Sequence, residues 1–118
     1  MLMYVTLGSN DIPRARRFYD AVMPTLGHVL RLGDDTELCY GPPGDEDPCL
    51  WIDSPFDGKA ASVGNGSMLA LSAETRAAVD AFYAAGLAAG PGGGRAAAGG
   101  GAGVVRRHQL ADRQQAQP

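Results

Sequence analysis

No run in this chain approaches the roughly 18–20 apolar residues that a membrane-spanning helix needs. No excess of one charge is present either: 10 Lys and Arg stand against 13 Asp and Glu, a formal net charge of −3. So mild a balance gives no electrostatic reason to expect nucleic acid or an anionic membrane as partner. The first residues, MLMYVTLGSND, lack a basic n-region and already alternate like a strand, which argues against a signal peptide and for a cytoplasmic address. Cysteine is scarce. Cys39 and Cys49 lie ten apart, without CxxC spacing, and read as buried thiols rather than a disulfide. The sequence also shows no Ser/His/Asp constellation, no phosphate loop and no paired carboxylates.

What the chain has in abundance is glycine, 17 in 118 residues, unevenly placed. Eight of the fourteen residues from Gly90 to Gly103 are glycine, and composition changes abruptly there. The length suits one domain.

Met3–Leu7 alternates, with Tyr4 and Thr6 on one face and Val5 and Leu7 on the other, as in a strand. Asn10 or Asp11 can accept from the first free helical N–H groups, and Pro13 falls in the first turn, where no hydrogen bond is lost. Ile12, Ala15, Phe18, Tyr19 and Val22 then recur at helical spacing. Arg14, Arg16 and Arg17 fall mostly off that stripe and read as a solvated face. Pro24 and Gly27 end the helix. Strands are expected at His28–Leu32, Glu37–Gly41 and Pro48–Asp53, with Gly33-Asp34-Asp35 as a hairpin turn. Cys49, Trp51 and Asp53 share one face of the third. A connector over Phe56–Gly66 leads to a further expected strand, Ser67–Ser72. Thr75 can cap a helix lined on one side by Val79, Phe82, Tyr83 and Leu87 and stopped by Gly90 and Pro91.

One offset of 64 residues brings two units into register. Tyr4 falls on Met68, Val5 on Leu69, Leu7 on Leu71, Ala15 on Val79, Phe18-Tyr19 on Phe82-Tyr83, and Ala21 on Ala85. A single shift aligning strand, helix and aromatic pair indicates duplication of a supersecondary unit. The second copies of strands 28–53 would then occupy about 92–117, where the residues for them are missing.

With YVTLGSND-x-x-RA-x-x-FYDAV at 4–22, LWIDSPFDGK at 50–59, and GNGSMLALSA with VDAFYAAGLAAG at 64–90, the chain resembles the vicinal oxygen chelate superfamily. That family includes glyoxalase I (lactoylglutathione lyase), bleomycin-resistance proteins and extradiol dioxygenases. The resemblance covers roughly residues 3–90. It implies an α+β fold in which two βαβββ modules curl around a shared cavity. The expected organisation is a glyoxalase-like domain over 1–90, with a first module at 1–57 and an incomplete second module (βα) at 64–90, then a Gly-rich disordered tail at 91–118. Pairing of modules between subunits implies a homodimer as one way to cover exposed strand edges.

Metal-dependent relatives take ligands from the first and last strand of each module, and the ion acts as a Lewis acid on vicinal substrate oxygens. The first-strand ligand positions here hold Tyr4 and Met68. Tyrosine is an uncommon ligand, and a thioether suits soft ions. The last strand offers Trp51 and Asp53, and His28 opens another strand, so no metal and no cofactor are expected. The resemblance leaves catalysis open. A cavity that binds a small molecule without metal is the alternative, with Tyr4, Thr6, Tyr40, Trp51 and Met68 expected towards it. Aromatic walls with a few hydroxyls suit a planar or amphipathic molecule. A non-catalytic protein that sequesters such a ligand, or an inactive truncated product, are the other readings.

The residues from 91 onward contain one apolar β-branched pair, Val104-Val105, and lack the apolar surface that would offset their ordering entropy. Ala111–Pro118, read one nucleotide later, permits Pro, then Thr or Ile, then Gly-Asn-Lys-Leu. A P-x-G-N-[KR]-[IL] turn into the last strand is a hallmark of the resembled family, and it falls at about 113–116, where the repeat puts that strand. The expectation is a change of reading frame near residue 90. Resequencing the gene across that codon checks it: a displaced base restores the turn, and an uninterrupted frame with relatives bearing the same tail refutes it.

Overall fold

The computed structural model describes residues 1–44, 48–62 and 65–89. The disordered tail expected at 91–118 and the frame change expected near residue 90 lie outside the described residues.

Strand β1 (Tyr4–Gly8) leads through a tight turn into helix α1 (Ile12–Val22). Of the two cap candidates, Asp11 serves: its carboxylate accepts from the Arg14 N–H at 3.0 Å. The five stripe residues Ile12, Ala15, Phe18, Tyr19 and Val22 are all buried. A 3-10 turn over Met23–Leu26 follows, and Gly27 ends it at φ 80, a left-handed conformation that glycine adopts without steric cost. Strands β2 (Val29–Gly33), β3 (Glu37–Gly41) and β4 (Cys49–Asp53) come next, each within one residue of its expected span. The β2–β3 turn is held by Asp34, whose carboxylate accepts from the Thr36 and Glu37 N–H groups at 2.7 and 2.9 Å. Those bonds favour the charged form and hold its carboxyl below the usual range.

The sheet order is β1-β4-β3-β2, with β1 parallel to β4 and the other pairs antiparallel. Bonds from Cys49 N–H to Met3 O (3.1 Å) and from Ser9 N–H to Asp53 O (2.8 Å) extend the β1–β4 ladder past both ends. The connector is pinned back by Asn10, whose side-chain amide exchanges two hydrogen bonds with the Ala61 backbone, at 2.7 and 3.0 Å. Gly8 leaves the room for this, since a side chain there would start 3.1 Å from Ala61 Cβ.

Helix α2 (Arg76–Ala89) packs on α1 and on the 3-10 turn. Thr75 caps it by accepting from Ala78 N–H at 3.0 Å. Val79, Phe82 and Gly86 are its buried positions. Leu87 was expected on that side and is instead exposed; Gly86, one position earlier, is the residue that faces Val22 and Phe18 of α1.

Ser67–Ser72 forms no strand, against expectation. A strand needs a ladder partner for its backbone groups. The repeat puts that partner at about 113–117, outside the described residues. Leu69 and Leu71 nevertheless pack against the core, as Val5 and Leu7 do in the first unit.

A methyl group on Gly86 would stand 3.7 Å from Val22 Cγ1 and 3.8 Å from Phe18 Cε2, ordinary contact distances. Gly86→Ala should therefore stabilise the protein by about 0.5–1 kcal/mol through helix propensity, read as a raised urea midpoint with unchanged m.

Candidate functional site

Side chains alternate across a strand, so the register assigns each residue to a face. Val5, Leu7, Leu30, Leu38, Tyr40, Leu50 and Ile52 point to the helices and form the core with α1 and Phe82. The opposite face carries cross-strand rows. Tyr4 lies beside Cys49; Thr6 beside Trp51, which lies beside Cys39; Gly8 beside Asp53, which lies beside Glu37. Tyr4 and Thr6 are exposed, and Trp51 and Cys49 are partly buried.

Tyr4, Thr6 and Trp51 share the face away from the helices, and Met68 is exposed in the segment before α2. Tyr40 is not with them. It sits on the helix side, 1 % exposed, and donates its phenol to Asp20 Oδ1 at 2.8 Å. Its ring lies 5.7 Å from that of Tyr19, which meets Phe18 edge-on at 5.1 Å. Tyr40 therefore joins sheet to helix. The signal for this was its parity with Leu38, two residues earlier.

Sequence reasoning also missed that the two cysteines come together. They lie on the same face of adjacent strands, diagonal to one another, and the Cys49 thiol donates to Met3 O at 3.8 Å. Burial, then the neighbouring Cys49 thiol, pushes the Cys39 thiol up to about 11.

The residues of the family's metal positions do not fit a divalent ion. Tyr4 pairs with Cys49 and Gly8 with Asp53, so Tyr4 and Asp53 stand at opposite ends of the ladder, roughly 13 Å apart at the strand rise. Among the described residues no three His, Cys, Asp or Glu side chains cluster to hold a metal. A separate open groove of about 480 Å³ lies at the start of α1, lined in part by Ser9, Asp11, Ser54 and Lys59. It holds none of the anticipated residues.

A solved glyoxalase/bleomycin resistance protein from Albidiferax ferrireducens T118 has this fold, at a TM-score of 0.68 and 36% sequence identity. The match covers 76% of this chain and 72% of that one. No family model matches the sequence, and no curated protein matches it. The chain belongs to the glyoxalase/bleomycin resistance family, within the vicinal oxygen chelate superfamily. Its fold is α+β, with a first module in the βαβββ order. No helix among the described residues is long and apolar enough to cross a membrane.

The back of the site sets an alkaline limit. Burial pushes the Tyr19 phenol up to about 12, and burial with the bond to Asp20 raises that of Tyr40. Both folded values exceed the ordinary 10.0, so their contribution is complete below that pH and is lost as pH rises through the folded values. Urea titrations at rising alkaline pH should show stability falling by up to about 1.4 kcal/mol per pH unit per phenol. Tyr19→Phe should shrink the loss.

Proposed function

We propose that this chain binds a small planar or amphipathic molecule on the sheet face away from the helices, without a metal. Tyr4, Thr6 and Trp51 form the contact row, and Met68 adds a further contact by its repeat relation to Tyr4. The observation that carries this is the register: it puts two aromatic rings and a hydroxyl side by side, on the face the core does not use. An aromatic ring offers large apolar area at small conformational cost, and the Thr6 and Tyr4 hydroxyls can orient a polar edge. The solved relative, a glyoxalase/bleomycin resistance protein by name, supports a small molecule as the ligand. The acidic side chains of the same face, Asp53 and Glu37, stand at one end of it, away from Tyr4.

Trp51 is the only tryptophan of the chain, so its emission reports on this face directly. Titration with planar aromatic compounds, bleomycin-type glycopeptides among them, should quench or shift it at saturating ligand. Tyr4→Ala should weaken binding by about 1–3 kcal/mol, the scale of one stacked aromatic contact with its buried area. Tyr40→Phe should leave the affinity unchanged while lowering stability by about 1–3 kcal/mol, because its lost hydrogen bond is to a carboxylate on the other side of the sheet. Equal binding by wild type and Tyr4→Ala would refute the assignment.

A further inference from the structure

Cys39 and Cys49 are the chain's only cysteines, and the fold makes neighbours of them. In the β3–β4 register Cys39 faces Trp51, two positions along from Cys49. Gly41 stands beside Cys49, whose Cβ is only 3.2 Å from where a Gly41 side chain would begin. The two cysteines are thus diagonal partners on adjacent strands, on one face, with no side chain on Gly41 between them.

This placement disfavours a direct disulfide. A disulfide needs its Cβ atoms about 3.5–4.5 Å apart, whereas diagonal partners in an antiparallel pair lie up to about 7 Å apart. Two sulfurs held a little farther apart can instead take an ion between them. Bonds of about 2.3 Å, the length thiolates make to zinc, on opposite sides of an ion allow a sulfur–sulfur span of up to about 4.6 Å. Thiolate pairs select soft cations such as Cu(I), and linear coordination asks for no third ligand. The Arg31 guanidinium, 3.1 Å from the same Gly41 position, sits beside the pair and offsets the negative charge that two thiolates around one monovalent ion would carry.

We infer that Cys39 and Cys49 form a two-coordinate site for a soft, thiophilic monovalent cation on the face that carries Trp51. Binding forms two metal–sulfur bonds and releases one proton from each thiol to solvent, with no change in oxidation state. The inference does not depend on the small-molecule reading, because its ligand is an inorganic ion and its residues are different ones.

Silver(I), a redox-inert probe for this class, tests the site in chloride-free buffer on the full chain. One equivalent should remove both thiols from reaction with a disulfide reagent and quench Trp51 emission, with the titration breaking at one ion per chain. Cys49→Ser and Cys39→Ser each keep one thiol that still takes one ion, but should hold silver far more weakly than the wild type against a competing free thiol, with circular dichroism confirming the fold. Cys39→Ala serves in place of Cys39→Ser should the latter not fold, since Cys39 is buried. A wild-type chain that retains one reactive thiol at one equivalent would overturn the inference. So would silver held against the competing thiol as tightly by either variant as by the wild type.

Discussion

Ile12, Ala15, Phe18, Tyr19 and Val22 lie between the sheet and α2, so α1 must satisfy apolar neighbours on two sides. That burial sets the rest. Strands alternate, and only one side of each can meet α1. Once Leu38, Tyr40, Leu50 and Ile52 are committed to the helix, Cys39, Cys49 and Trp51 have no choice of face. The candidate site is therefore a by-product of the core's register. A one-residue slip would exchange the two sets.

Helix and strand positions were legible because each depends on local chemistry. The stripe on α1, the Thr75 cap, the Asp34 turn and the alternation of β1 all appear in short windows of sequence. Ser67–Ser72 was misread for the opposite reason. Its composition suits a strand, but strand character is conferred by a partner, and alternation alone cannot supply one. The segment keeps only half of the pattern: Leu69 and Leu71 still turn towards the core.

Within the site, Tyr40 shows the limit of residue type as a guide. A tyrosine suits a ligand cavity and a core equally, having an apolar ring and one polar end. What decides is the presence of Asp20, twenty residues earlier and in the last turn of α1, to take the hydroxyl. The pairing of Cys39 with Cys49 was hidden differently. Ten residues of separation spans a hairpin or a helix turn and more, and only the ladder shows that these two share a face.

The parallel pairing of β1 with β4 has a consequence in time. Tyr4 meets Cys49, 45 positions later, whereas β2, β3 and β4 meet close neighbours in the chain. Closing a loop of that length costs entropy before any contact repays it. On the ribosome β1 emerges first and must wait unpaired until β4 is made. Of the four strands of this sheet, the one made earliest closes the longest loop, onto a β2–β3–β4 meander whose pairings all join sequence neighbours.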